Sequence, residues 1–260
     1  MGWVGAILKE HELREWGVSR RAAIALLIVP PVGAVVVALT GFWYPLFRML
    51  TAEDHIFEWV QFFCWVVVFL SGIAMTQRLW TTRRRGVAVL WAIVALGAFV
   101  IAGEEIAWGQ RLFGLETPDA LARVNRQGEI TVHNIGSWGL VFDAVFIVAG
   151  LYGAGSAFWY RLHRPPPNRQ LVDLLVPPLF LVSLFLAVPL YKTIRAGLWL
   201  VGVPSFVDYA EYIELCLVFG LASFGVLSLR RQKPEFAGTH RMVGPASHRA
   251  ESRSQAGRSS

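Results

Sequence analysis

The chain has 260 residues, of which 55% are hydrophobic and only 16% are charged, and its mean hydropathy is +0.49. This composition excludes an ordinary soluble domain, because such domains carry about 25% charged residues. The formal net charge of +6 does not indicate a nucleic-acid partner, since the basic residues lie at the ends of apolar blocks and in the C-terminal tail, as they do in membrane proteins.

The apolar residues form six blocks of about 20 residues, the length that a helix needs to cross roughly 30 Å of hydrocarbon. Backbone polar groups in lipid must be satisfied within the chain, and the blocks lack the alternation typical of barrel strands. The predicted fold is therefore an all-α polytopic transmembrane helical bundle. The blocks cover residues 22–42, 54–80, 86–109, 137–160, 174–191 and 207–229.

The blocks divide the chain into three parts. Residues 1–21 form a cytoplasmic leader, which the sequence allows to be either an interfacial helix or a frayed polar segment. Residues 22–229 form the six-helix transmembrane domain, with its longest polar connection at 112–136. Residues 230–260 are rich in Ser, Arg, Gly and Pro, which predicts a disordered basic cytoplasmic tail.

The basic residues indicate the orientation of the bundle. Counted by alternate loops, 14 lie on one side and six on the other, and the poorer side includes Lys192 and Arg195 in the loop after the fifth block. Cytoplasmic loops carry the excess of Lys and Arg, so both termini are predicted to be cytoplasmic.

The stretch 102–111 ends the third block and carries two acidic residues, Glu104 and Glu105. A carboxylate at the edge of lipid is energetically costly, so it normally has a partner or a function. If the helix continues through this stretch, Glu104, Trp108 and Arg111 fall at i, i+4 and i+7 and share one face.

The predicted orientation places the unusual acids of four helices together at the extracytoplasmic end, with Asp173 as the exception. At about 1.5 Å per helical residue, Glu214 lies only about 9 Å deeper than Asp208, so the acids stay within the outer third of the bilayer. The sequence therefore predicts one carboxylate-rich site. Its acids are Glu53, Asp54, Glu58, Glu104, Glu105, Asp143, Asp208, Glu211 and Glu214, with His133 beside them.

The first functional hypothesis is a membrane-embedded hydrolase or transferase that acts on a lipid or lipid-linked substrate. Carboxylates with a histidine can act as general acid and base, and Gln110 and Arg111 can bind an anionic headgroup. The candidate catalytic residues are Glu104, Glu105, Glu58 and His133. The candidate substrate-binding residues are Gln110, Arg111, Trp108 and Asn134.

The same acids are also candidate ligands for a divalent cation. Carboxylates with one histidine suit Mg²⁺, Mn²⁺ or Ca²⁺ better than Zn²⁺, and no HExxH or CxxC motif is present. Without a metal, acids packed this closely would share protons, which is the property that a general acid or a proton relay uses. The tentative metal ligands are Glu104, Glu105, Glu211 and His133.

Two other function classes remain open. The first is a cation- or proton-coupled carrier or channel, which would need a polar path to the cytoplasm. The second is a non-catalytic membrane scaffold, whose acids would only hold the connection 112–136 in place. The lipid bilayer is a partner in each case, and the sequence does not assign an oligomeric state.

Three motifs carry a family resemblance: the run Gly103–Arg111, the Glu116–Pro118 stretch, and residues 125–129 followed by His133 and Asn134. The chain resembles a family of uncharacterised bacterial multi-pass membrane proteins with a GEEISWGQR-type motif and a following ETP…NxQGE…HN stretch. Ala107 stands where that motif has serine, which argues against a serine nucleophile there. The resemblance implies the bacterial inner membrane as the location and implies no activity.

Overall fold

The computed structural model describes residues 8–52, 55–160, 169–200 and 209–232. Within these ranges the chain is helical and contains no strand, and its only β-type pairing is an isolated bridge between Asn125 and Ile135. Six helices are long and apolar enough to cross a membrane, one for each predicted block. The predicted all-α class is therefore confirmed for the described part of the chain.

The helices have the following bounds. They are α1 (Glu10–Trp16), α2 (Arg20–Thr40), α3 (Tyr44–Thr51), α4 (Ile56–Thr81), α5 (Arg85–Glu105), α6 (Gln110–Phe113), α7 (Asp119–Ala122), α8 (Trp138–Phe158), α9 (Arg169–Leu175), α10 (Val182–Leu200) and α11 (Ala210–Arg231). Short 3₁₀ turns, Ala107–Gly109 and Leu179–Leu181, follow α5 and precede α10.

The fifth block differs from its prediction at both ends. The Pro177–Pro178 pair follows the end of α9, since proline cannot continue the hydrogen-bond ladder, and a 3₁₀ turn leads from it into α10. Helix α10 then continues past Tyr191 to Leu200. The placement of Lys192 and Arg195 in a loop was therefore wrong, because both residues lie within α10.

The bundle core depends on close helix contacts at small residues. Helix α4 packs against α5 and α11, and α10 packs against α8, α11 and α2. A Cβ atom added to Gly150 of α8 would lie 2.6 Å from the Phe185 carbonyl oxygen of α10, so only glycine allows this approach. One turn before Gly150 on α8, the Phe146 ring stacks on the Trp65 ring of α4 with the centroids 6.0 Å apart.

Helix α1 lies within the predicted leader and packs on the end of the bundle that is remote from Glu104. Leu13 and Trp16 are buried, and the Arg231 guanidinium lies 4.4 Å from the Trp16 ring centroid. Arg231 also pairs with Asp173 at 2.8 Å, so the acid noted above as the exception to the predicted cluster has a partner at this end of the bundle. Residues 1–7 of the leader and 233–260 of the tail lie outside the described ranges.

Candidate functional site

Helix α5 ends at Glu105, which is earlier than the sequence predicted. Ala107, Trp108 and Gly109 have φ values of 45°, 54° and 79°, so three consecutive residues adopt the left-handed conformation. The chain therefore turns sharply instead of continuing as a helix. The prediction that Glu104, Trp108 and Arg111 share one helical face was wrong for this reason.

The turn folds the Trp108 ring back onto α5. A Cβ atom on Gly103 would lie 2.8 Å from this ring, so glycine is required for the contact. The indole Nε1 then donates a hydrogen bond of 2.8 Å to Oε1 of Glu104. Trp108 is thus joined to Glu104 by the turn and not by helical spacing.

The second carboxylate oxygen of Glu104 is also occupied. Oε2 accepts hydrogen bonds from the backbone N–H groups of Val132 at 2.7 Å and His133 at 3.0 Å. The His133 ring nitrogen Nδ1 lies 3.0 Å from the same oxygen. Glu104 is only 4% exposed, so this buried carboxylate fastens the segment around residues 132–133 to the end of α5.

Residues 110–136 form a folded unit, here called the cap. Within it Gln110 donates from Nε2 to the Thr117 hydroxyl at 2.5 Å and accepts from the Ile130 N–H at 2.8 Å. Asn125 donates from Nδ2 to the Thr131 carbonyl oxygen at 2.7 Å. Gln110, Thr117 and Asn125, which belong to the motifs that carry the family resemblance, therefore hold the cap together. A sequence pattern alone does not distinguish this structural role from a catalytic one.

A cavity of about 740 Å³ lies between the cap and the helices. Acidic side chains from several helices line it: Glu58 of α4, Glu105 of α5, Asp143 of α8, and Glu211 and Glu214 of α11. About one helical turn deeper than Glu105 and Asp143, Ile101 and Phe146 give the lining an apolar floor, and the Trp65 ring stacks on Phe146.

The structure brings most of the predicted site residues to this cavity and leaves some away from it. Those that line it are Glu58, Glu104, Glu105, Glu211, His133 and Asn134. Gln110 and Trp108 do not line it, because their polar atoms are directed into the cap and toward Glu104. The Arg111 side chain and residues Glu53, Asp54 and Asp208 lie outside the described part of the structure.

Glu105 differs from its neighbour Glu104 in what surrounds it. Its side chain is half-buried in the cavity wall, and the charges that act most strongly on it are those of Glu211, Glu214 and Glu58. Glu211 in turn accepts a hydrogen bond of 2.8 Å from Nε2 of Gln61. Carboxylates from three helices therefore interact here.

Lys192 is a site residue that sequence reasoning missed. Its Nζ donates to Asp143 Oδ1 at 2.5 Å and to Glu214 Oε1 at 3.3 Å, which joins α10 to α8 and α11. The Lys192 side chain is only 10% exposed. The signal in the sequence was the apolar run after Lys192, including Ile194 and Leu198, which indicates that the helix continues beyond the predicted boundary.

No three His, Cys, Asp or Glu side chains of the described residues are arranged to hold a metal ion. Both oxygens of Glu104 already accept hydrogen bonds from the cap and from Trp108. The assignment of Glu104, Glu105, Glu211 and His133 as metal ligands stays a prediction that this geometry does not support.

Comparison of the chain with protein-family models, with curated proteins and with solved structures finds no match.

Proposed function

We propose that this chain is a multi-pass protein of the bacterial inner membrane whose acid-lined cavity opens at the extracytoplasmic end. Large apolar side chains exposed on the long helices support insertion, among them Val35 on α2, Leu96 on α5 and Val148 on α8, each at least 60% exposed. The excess of basic residues on one side, 14 against six, supports the predicted N-in/C-in orientation.

Within this arrangement the chain acts as a hydrolase or transferase on a lipid or lipid-linked substrate. The observation that carries the proposal is the convergence of Glu58, Glu105, Glu211 and Glu214 on one cavity with an apolar floor. Interacting carboxylates can hold and exchange a proton, which is what general acid–base catalysis requires. Glu105 is the proposed acid–base group, and Glu104 is a positioning residue that holds His133 and the cap.

A cation- or proton-coupled carrier is the second candidate. One observation favours it: the Lys192 ammonium group pairs with both Asp143 and Glu214. A lysine placed in this way can move from one carboxylate to the other when a cation or proton binds. The apolar floor at Ile101 and Phe146 disfavours it, since a carrier needs a polar route past this level. A scaffold accounts for the hydrogen bonds of Glu104, but it gives no role to the acids around Glu105.

Expression of the wild type should change the composition of the membrane lipids, and expression of Glu105→Gln should not. We expect mass spectrometry of lipid extracts to show a lipid or lipid-linked species that rises or falls with the wild type, because removing the acid–base group stops the reaction. Glu116→Gln, an exposed cap residue away from the cavity, is the matched control and should behave as wild type. Identical extracts from the wild type and Glu105→Gln, at equal amounts of folded protein, would overturn the enzyme proposal.

A further inference from the structure

Three neighbouring apolar side chains of the cap are exposed. Leu112, Phe113 and Leu115 are each at least 50% exposed, and they are here called the cap tip. The cap tip lies outside the six candidate membrane spans, so it would face water if the cap stood clear of the bilayer. Contiguous exposed apolar side chains of this size mark a surface that contacts a partner or a membrane.

Hydrogen bonds fix the base of the cap tip. The backbone N–H of Leu115 donates to the Gln110 carbonyl oxygen at 2.9 Å, and the Gln110 side chain is bonded to Thr117 and Ile130. Gly114 closes the turn with a φ of 60°. Since both sides of this turn are held, the exposure of the cap tip is a property of the folded cap.

The cap tip continues an exposed row of aromatic rings on α5. The Trp108 ring packs edge-on against the Phe99 ring of α5 with the centroids 6.0 Å apart, and both rings are exposed. Directly after Trp108, a Cβ atom on Gly109 would lie 2.9 Å from the Phe113 ring. Exposed rings therefore follow one another from the apolar surface of α5 to the cap tip.

Lipid is the occupant that this continuity favours. Leu96, Phe99 and Gly103 fall at i, i+3 and i+7 of α5 and share one face. Leu96 is exposed on this face, which points to the acyl chains in the proposed membrane arrangement. Tryptophan is typical of the membrane–water interface. The Nε1 of Trp108 already donates to Glu104, so the exposed part of its ring is apolar.

We propose that the cap tip inserts into the outer leaflet of the bilayer, which holds the cap in the lipid headgroup layer. The inference rests on the proposed function, because it requires the membrane insertion and the orientation stated there. It adds that the cap is a membrane-contacting element. Because the cap also bounds the cavity, a lipid substrate would reach the cavity from the leaflet that the cap contacts.

The test is fluorescence quenching of the full-length protein in vesicles of phosphatidylcholine and phosphatidylglycerol. In a background with Cys64→Ala and Cys216→Ala, a single cysteine at Phe113 carries a bimane label. The quenchers are a phosphatidylcholine with a doxyl group near the carbonyl end of its acyl chain, and iodide on both sides of the bilayer. We expect the doxyl lipid to lower the bimane emission about twofold and iodide to have little effect, because interfacial apolar groups lie about 5–10 Å into the leaflet.

Three further positions complete the design. Asp119→Cys places the label at an exposed acid at the start of α7 and should show the reverse pattern. Leu96→Cys places it on the exposed side of α5 and should be quenched by a doxyl group near the methyl end of the acyl chain. Leu112→Cys repeats the measurement at the cap tip with the Phe113 ring and its contact with Gly109 intact.

Quenching of the cap tip by iodide to the same extent as at Asp119 would place it in water and overturn the inference. Protection from both quenchers would also overturn it, because protein then covers the cap tip. Disulfide cross-linking of Phe113→Cys between copies would identify a second copy of the chain as that cover. If the label at Leu96 reports lipid and the labels at the cap tip do not, the inference fails and the proposed membrane insertion stands. Absence of lipid quenching at Leu96 would overturn the insertion and the inference with it.

Discussion

Glu104→Gln should unfold the cap, whereas Glu105→Gln should leave the cap intact. The Glu104 carboxylate accepts hydrogen bonds from Trp108, Val132 and His133, and a glutamine amide group would present N–H groups to some of these donors. Loss of buried, charge-assisted hydrogen bonds should lower the free energy of unfolding by about 2–4 kcal/mol. Thermal denaturation in detergent measures this loss, and limited trypsin digestion at Arg123 and Arg126 reports on the cap itself.

Glu105→Gln is the internal control for this result. The charge of Glu105 is opposed by those of Glu211, Glu214 and Glu58, so a neutral side chain of the same shape should keep or raise the melting temperature. Equal destabilisation by the two substitutions, with equal trypsin cleavage of the cap, would contradict the division of roles between these adjacent residues.

Lys192→Met should destabilise the bundle through the two acids that it leaves behind. Lys192 bridges Asp143 and Glu214, whose side chains are 37% and 19% exposed, and without the ammonium both carboxylates repel each other. Breaking a buried ion pair costs about 3–5 kcal/mol, and the partial exposure of Asp143 lowers the expected loss to about 2–4 kcal/mol. Thermal or chemical unfolding in detergent measures it.

A triple variant separates lost charge balance from lost packing. Lys192→Met combined with Asp143→Asn and Glu214→Gln removes the uncompensated charges and should recover most of the stability. If the triple variant is no more stable than Lys192→Met, the ion pairs of Lys192 do not account for its effect.

The position of the acid cluster could be predicted from the sequence because it depends on helix ends. Glu58, Glu105 and Glu211 lie within two residues of the ends of α4, α5 and α11, and antiparallel helices bring such ends together at one face. The charges of alternate loops then indicate on which side of the membrane these ends lie. No knowledge of side-chain packing is needed for this step.

The different roles of Glu104 and Glu105 could not be predicted in the same way. They depend on the left-handed turn at Ala107, Trp108 and Gly109, which directs the Trp108 indole to Glu104 and brings the cap over it. A non-glycine residue in this conformation is uncommon, so helical periodicity predicts the wrong face. Gly103 and Gly109 are the local signals, since one accommodates the indole ring and the other adopts a positive φ.

The most direct test of the proposed function determines from which side of the membrane the cavity can be reached. In a background with Cys64→Ala and Cys216→Ala, a single cysteine at Ser137, an exposed residue of the cavity lining, is treated with a membrane-impermeant maleimide in intact spheroplasts. A cysteine at Thr82, in the basic loop between α4 and α5, is the control for the opposite side. If the cavity opens to the extracytoplasmic side, the maleimide labels Ser137→Cys before permeabilisation and Thr82→Cys only after it. The reverse pattern would contradict a cavity that opens to the extracytoplasmic side.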